Sequence, residues 1–428
     1  MTQRPNRHFL FLQGPHGPFF HRLGLMLRRA GAEVWRVGFN AGDRAFSFGD
    51  RGFIPFTGAP SDWPDTFAAL VAEHQITDIV LYGDVRPIHA QAVKAAQDMG
   101  LTIHVFEEGY MRPYWVTYER GGTNGNSRLM DMTIDQMRQD LERSDMDVPE
   151  PPAHWGDMRQ HVFYGALYHW FVIFRNRQFR EFAPHRDLSP LHEAILYTRR
   201  LLLMPFISLH RMLATAHVRF GGFPYHLVLL QLEHDSNFLR HSPFASMEDF
   251  LRVVIEGFAQ GAGRHHHLVF KAHPLENDRS PTRKNINRIA KEFGVGDRIH
   301  YIRGGKLAKL LDHARTAVTV NSTAAQQVLW RSIPLKVFGN AVYDKPEFVS
   351  TLPLPDFFAQ PGRPDNRAYR DYRQFLLETS QIPGGFYSSR GRRQLLRQVV
   401  DMMLDDEDPY DALRSGKIAP RQSLRIVN

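Results

Sequence analysis

No cysteine occurs in the 428 residues. That absence excludes disulfides, thiolate nucleophiles and Cys-ligated metal sites, and it suits a reducing compartment. Long apolar runs are missing as well. No stretch reaches the ~18 uninterrupted apolar residues of a transmembrane helix. The opening MTQRPNRHFLFLQGP carries an apolar run too short for a signal peptide, broken at Gln13 and Pro15. The expected location is therefore the cytoplasm. Also lacking are a Walker loop, a DxD-like metal–nucleotide motif and a G-x-S-x-G elbow. The run His265–His267 has no accompanying Asp, Glu or His at ligand spacing, and consecutive strand residues splay to both faces, so no metal site is expected. Short-period repeats and low-complexity tracts are absent too.

What is present is the composition of a soluble globular protein, 43% hydrophobic and 23% charged, long enough for two domains. The formal charge of +8 points to anionic partners: nucleotides, phosphorylated substrates, an acidic membrane face or nucleic acid. The basic residues are dispersed and no nucleic-acid motif accompanies them, so nucleic acid fits the charge alone.

Short apolar runs alternate with amphipathic segments. Strands are expected at Arg7–Leu12, Glu33–Val37, Asp78–Tyr82 and Thr102–Phe106. One helix runs through Phe20, Leu23 and Leu27, another over His89–Met99. The alternation restarts with strands at His226–Leu232, His266–Lys271, Arg298–Ile302, Thr316–Val320 and Pro334–Phe338, separated by helices near Ser246–Gln260, Thr282–Phe293, Lys306–His313 and Ala324–Arg331. The fold class is α/β: two doubly wound parallel-sheet domains, which bind ligands beyond the C-terminal ends of their strands. The expected division is a first domain over 1–150, a basic aromatic helical segment over 151–220, a second domain over 221–350 and C-terminal helices over 351–428 that pack back toward the first. The middle segment reads either as a helical subdomain packed on the sheets or as a membrane-surface face.

Five polar clusters sit at predicted strand ends. Gln13-Gly14-Pro15-His16-Gly17-Pro18 is a structural turn or a binding loop; its two prolines remove amide donors that a phosphate cradle would use. In Glu107-Glu108-Gly109-Tyr110-Met111-Arg112 the adjacent carboxylates repel, so one is a candidate for a raised pKa and acid/base work, unless Arg112 simply neutralises them. In an extended segment only one of the two faces a given site. The stretch LVLLQLEHDSNF runs a buried strand into Gln231, Glu233, Asp235 and Asn237, with Glu233 on the same face as Asp235 if the strand persists. Lys271-Ala272-His273-Pro274 places two phosphate-binding side chains on one face and a proline beyond them. Asn321-Ser322-Thr323 precedes a helix, where a hydroxyl serves as an N-cap and the free amides suit a phosphate.

Taken in this order, the clusters resemble the capsule polysaccharide proteins of the KpsS/LipB type, retaining β-Kdo glycosyltransferases that use CMP-Kdo. The resemblance runs from LQGPHGPFFHRLGLMLRRAGAEVWRVGFNAGD through LYGDVRPIH, FEEGYMRP, QLEHDSNFLRHSPF and FKAHPLE to VNSTAAQQVLWRSIPLKVFG. The acidic-Gly-aromatic segment, the Q-x-x-x-D strand end and the K-x-H-P also look like KpsC modules. The resemblance implies a GT-B architecture, two Rossmann-like domains facing a cleft with the acceptor on the first and the CMP-sugar on the second. It implies transfer of the first β-Kdo onto lysophosphatidylglycerol. Asp235 becomes the nucleophile, and Glu107 and Glu108 the acid/base candidates. Lys271, His273, Ser322 and Thr323 would hold the CMP phosphate and the sugar carboxylate, supported by Pro274, Asn321, Gln231, Arg112, Gln13 and His16. Gln327 falls where related modules carry a Glu toward the ribose. No cofactor or metal is implied beyond the donor itself. An anionic lipid acceptor places the protein at the inner membrane face, among other capsule proteins, with Arg199, Arg200, Arg211, Trp170, Phe171 and Phe174 as candidate membrane contacts. Two alternatives remain: another GT-B transferase using a CMP- or UDP-sugar, and a non-catalytic capsule export or assembly factor.

Overall fold

The computed structural model describes residues 7–142, 157–181, 190–274, 276 and 280–416. It divides into two compact units. Unit 1 takes the described residues of Met1–Arg128, Gln136–His192 and Gln374–Asn428; unit 2 takes Leu129–Asp135 and Glu193–Arg373.

Unit 1 is built on a seven-stranded sheet of order β12-β6-β5-β4-β1-β2-β3. Its strands are β1 (His8–Phe11), β2 (Glu33–Gly38), β3 (Phe53–Pro55), β4 (Asp78–Tyr82), β5 (Thr102–Glu108), β6 (Trp115–Arg120) and β12 (Gln381–Pro383). The first five pair in parallel, whereas β6 runs antiparallel to both β5 and β12. Both faces of β1 are covered, so its successive residues Phe9, Leu10 and Phe11 are all apolar. Phe9 and Phe11 pack under α1 (Phe19–Arg29) and α15 (Ser389–Leu404), while Leu10 and Leu12 pack on the opposite side with α3 (Trp63–Glu73) and α4 (Pro87–Asp98). The short α2 (Ala41–Ala45) follows β2, α5 (Ile134–Leu141) follows β6, and α6 (Asp157–Arg175) lies against α2. The chain closes unit 1 with α16 (Pro409–Arg414).

Unit 2 has a five-stranded, wholly parallel sheet of order β11-β10-β7-β8-β9. The strands are β7 (Tyr225–Leu229), β8 (His267–Lys271), β9 (Ile299–Ile302), β10 (Ala314–Thr319) and β11 (Leu335–Val337). A long helix, α7 (Pro190–Phe220), precedes β7; α8 (Ser236–His241), α9 (Met247–Gly261), α10 (Thr282–Glu292), α11 (Ala308–Leu311) and α12 (Ala325–Leu329) fill the connections. Ser246 starts α9 with a capping box: its hydroxyl accepts from the Asp249 amide at 3.2 Å while the Asp249 carboxylate accepts from the Ser246 amide at 3.0 Å.

The α/β fold with parallel sheets is as expected; the strand limits differ in places. β7 stops at Leu229 rather than Leu232, because Leu230 onward turns away into the loop that ends at Asp235. β3, β6 and β12 were not anticipated; β3 and β12 have only three residues each, and β6 (WVTYER) mixes polar residues into a buried strand. Nor does the stretch 151–220 make a unit of its own: α6 belongs to unit 1, most of α7 to unit 2. The segment 351–428 is divided likewise. Leu354, Phe357 and Phe358 of α13 (Leu354–Ala359) complete the core over α9, whereas Leu395, Leu396, Val399 and Met403 of α15 complete the core over α1. The chain passes from unit 2 back to unit 1 within α14 (Asn366–Glu378).

Candidate functional site

In unit 1 the polar residues gather where β1, β4 and β5 end. Glu107 and Glu108 are the last two residues of β5, so they point to opposite faces. Glu108 follows Phe106 on the α1/α15 face, where the Tyr82 hydroxyl donates to its Oε1 at 3.4 Å and the Tyr387 hydroxyl also hydrogen-bonds it. Glu107 lies on the other face, beside Gly83, and its Oε1 accepts from the Glu108 amide at 3.0 Å. Burial, reinforced by the Glu108 charge, pushes the Glu107 carboxyl up to about 7 against the opposing effects of that amide, Arg112 and Arg86. Arg112 is exposed, and its Nε donates to the Gly109 carbonyl at 3.2 Å rather than to either carboxylate.

Gln13 does not line an open site. It is buried, its Nε2 donates to Asp43 Oδ2 at 3.1 Å and to the Tyr168 hydroxyl at 3.0 Å, and its Oε1 accepts from Arg86 Nη1 at 2.9 Å. Asn40 and Asp43 also bond the Tyr168 hydroxyl, so one tyrosine of α6 ties together the loops after β1 and β2. Gly42 permits this: a Cβ there would stand 2.6 Å from the Tyr168 ring. His16 packs its ring 4.3 Å from the same tyrosine. Sequence reading missed this network because its centre, Tyr168, is over a hundred residues away from every partner except by folding. It also missed Glu119, a buried carboxylate raised to about 7 by burial, which accepts from Tyr110 at 2.7 Å, from Tyr410 at 3.1 Å and from Ser127.

In unit 2 the exits of β7 and β10 are sewn together. Gln231 Nε2 donates to Asn321 Oδ1 at 2.7 Å, and the Asn321 amide donates back to Gln231 Oε1 at 3.1 Å. Asn321 Nδ2 then reaches the carbonyls of Asn237 and His241 on α8. Asp235, half-buried, is the N-cap of α8, its Oδ1 accepting from the Asn237 amide at 3.3 Å. Glu233 is spoken for: Oε1 accepts from the Met247 amide at the start of α9, and Oε2 from Ser280.

Lys271 ends β8, the strand next to β7, and is 6% exposed. The nearest acceptor to its Nζ is the Ala272 carbonyl, at 3.5 Å. Burial, and then the charge of Arg211 on α7, lower its pKa to about 8. Arg211 is half-buried, and its stem packs on Gly305, with 3.1 Å from its Cδ to the place of a Cβ. Gly304 and Gly305 both have positive φ, +65° and +86°, a conformation favouring glycine in the loop Arg303-Gly304-Gly305-Lys306 after β9. Pro274 approaches Gly304, and His273 beside it is half-buried. This glycine pair was not singled out in the sequence, although two adjacent glycines at a strand exit are a readable signal.

Ser322 and Thr323 are not N-caps. The cap of α12 is Ala324, without a side-chain bond; the Ser322 hydroxyl instead accepts from the Ala324 amide at 3.3 Å and its carbonyl from Tyr343 at 2.7 Å. Gln327 is half-buried on α12. The histidine run is accounted for by packing, with His226 on His266 at 3.1 Å and His267 stacked on Phe223 at 3.9 Å. Among the described residues no group of three His, Asp or Glu could hold a metal ion. Arg199 and Arg200 lie outside the described side chains.

Residues 77–387 match the profile of a family described as "Capsule polysaccharide biosynthesis protein". The chain belongs to this family. Relatives support that over most of the length. The capsule polysaccharide export protein KpsS of Escherichia coli is 30% identical over 384 residues, 89% of this chain and 96% of its own. The capsule polysaccharide modification protein LipB of Neisseria meningitidis serogroup A is 30% identical over 386 residues, 89% and 91% of the two chains. Among solved structures, the KpsC beta Kdo 2,7 transferase of Thermosulfurimonas dismutans aligns with a TM-score of 0.43 and 10% identity, covering 93% of this chain and 100% of that one. Among the described residues of this family member, no helix is long and apolar enough to cross a membrane.

Proposed function

We propose that the chain is a retaining glycosyltransferase that moves the first β-Kdo from CMP-Kdo to lysophosphatidylglycerol, starting a capsule polysaccharide linker. One observation carries the reading. A buried ammonium, Lys271, ends β8 under the charge of Arg211 on α7, with no carboxylate paired to either among the described residues, while Asp235 sits at the exit of the adjoining strand. A CMP-sugar supplies what two uncompensated cations attract, a phosphate, and Kdo adds a carboxylate.

The chemistry follows in two displacements. A carboxylate oxygen of Asp235 attacks the anomeric carbon, and the bond to CMP breaks with its electron pair on the phosphate, where Lys271 and His273 stabilise the charge. The acceptor hydroxyl then attacks the same carbon and expels Asp235, its proton passing to a general base. A carboxyl held near pH 7, as Glu107 is, suits both taking and giving a proton there. No metal or further cofactor is assigned. Family membership supports the capsule setting. Exposed Trp170 and Phe174 on α6 and Phe206, Leu209 and Phe220 on α7 support attachment to the inner membrane face.

The test mixes purified protein with CMP-Kdo and fluorescent lysophosphatidylglycerol and determines the mass and anomeric configuration of the product. One added Kdo in β configuration is expected. Product from a different sugar nucleotide alone would overturn the donor, and no product from any donor would favour a non-catalytic export or assembly role.

A further inference from the structure

A groove in unit 1 takes no part in the clusters above. It lies between α1, the Phe46–Phe48 turn, α6 and α15, and encloses about 760 Å³. Its floor is apolar, with Leu25, Phe48, Leu167 and Leu396 contributing; Leu25 and Phe48 are 38% and 55% exposed although both are large hydrophobics. Such a volume is that of a small-molecule site rather than a packing defect.

The rim is of one charge. Arg22 and Arg29 stand on it from α1, Arg393 and Arg397 from α15, all four exposed, and no Asp or Glu lines the groove. None of the four is ion-paired to a described carboxylate. On α15 the placement opposes the ordinary rules of helix stability. Arg390, Arg392 and Arg393 crowd the N-terminal end of α15, where the backbone dipole already presents positive charge and where no acidic residue occupies the first turn. Arg393 and Arg397 are four apart, so they repel along one face. A helix that carries this unfavourable field toward an apolar groove is suited to an anion with a hydrocarbon part.

We infer that this groove seats a single-chain anionic phospholipid, its acyl chain over Leu25, Phe48 and Leu167 and its phosphate among Arg22, Arg393 and Arg397. The position also reaches the acid/base cluster through unit 1's own contacts. Arg392, on the groove wall, bonds the Tyr387 carbonyl, and the Tyr387 hydroxyl bonds Glu108. The inference deepens the acceptor half of the function proposed above and rests on it for its purpose.

The test is a fluorescence titration of full-length protein with lysophosphatidylglycerol and, separately, with lysophosphatidylcholine of the same chain length, below their micelle-forming concentrations. Wild type is expected to prefer the anionic lipid by 10-fold or more. The double variant Arg393→Glu/Arg397→Glu, on an exposed helix face, is expected to lose that preference while binding the choline lipid as before; circular dichroism checks that it is folded. Unchanged affinity of the variant for the anionic lipid overturns the inference, as does a wild type that binds both lipids equally. A monomer–dimer shift in the variant, with lipid binding untouched, would reassign the groove to self-association. The two readings fail separately. Lipid binding without sugar transfer sinks the transferase and leaves the groove, whereas transfer with an unaltered lipid KM in the variant sinks the groove and leaves the transferase.

Discussion

Gln231 and Asn321 satisfy each other across the exits of β7 and β10, at 2.7 and 3.1 Å, and both are buried. Sequence reading had assigned both to ligand binding. Their amides are instead consumed in holding α8, and with it Asp235, in place. Gln231→Ala leaves two Asn321 groups without partners, which costs about 1–3 kcal/mol. Urea unfolding is expected to show a lower midpoint with an unchanged slope; an unshifted midpoint would remove the pair from the scaffold.

Asp235 has two roles that one substitution confuses, since it caps α8 as well as presenting a carboxylate. Asp235→Asn keeps a good cap and removes the charge, whereas Asp235→Ala also loses the cap, worth about 1 kcal/mol. Kdo transfer is expected to vanish in both, with CMP affinity and melting temperature preserved in the Asn variant. Glu233→Gln, whose carboxylate accepts from the Met247 amide at the start of α9, should affect stability and leave transfer running. Transfer surviving in Asp235→Asn would end the nucleophile assignment.

Glu107 makes a pH prediction of definite sign. Its folded pKa, about 7, lies above the model-compound 4.5, so the native state holds the extra proton between these values and stability falls as pH rises through that window. Glu119, also near 7, adds a slope of the same sign. Glu107→Gln should flatten the stability profile in part and abolish the rise of kcat/KM expected near pH 7, where a general base loses its proton. A variant with the wild-type pH–rate profile would exclude Glu107 as that base.

Lys271 behaves oppositely. Its pKa, near 8 against 10.5, means the unfolded chain binds more protons between those values, so stability rises with pH there. Phosphate binding needs the ammonium, so the thermal stabilisation by CMP is expected to shrink above pH 8 and to persist in Lys271→Arg. Arg211→Ala should weaken CMP binding about 10- to 100-fold, as loss of a charge-assisted hydrogen bond does, and should move the pH midpoint upward by removing a neighbouring positive charge. Calorimetry at several pH values measures both. CMP affinity insensitive both to Arg211→Ala and to pH above 8 would place the nucleotide elsewhere.

Much of the fold was legible because buried parallel strands are written as short apolar runs: DIVLY and HLVFK differ by at most one residue from the segments expected. Edge strands such as Phe53–Pro55 and Gln381–Pro383 were not, since three residues carry no periodicity. Strand ends announced where polar chemistry would gather, yet not what each side chain would bond. Gln13, Gln231 and Asn321 read as ligand contacts but hydrogen-bond protein partners. Arg211 read as a membrane contact; the fold brings its charge within reach of Lys271.

Sequence alone determined the α/β alternation, the lack of thiol chemistry, the basic charge and the ordered set of motifs that marks the family, because these depend on local pattern and composition. Tertiary structure alone decided which carboxylate is held near neutrality, which amides are free, that the 151–220 stretch divides between two units, and that arginines of α1 and α15 surround one apolar groove. Those properties depend on desolvation and on partners up to hundreds of residues away, and neither is encoded in any single window of the chain.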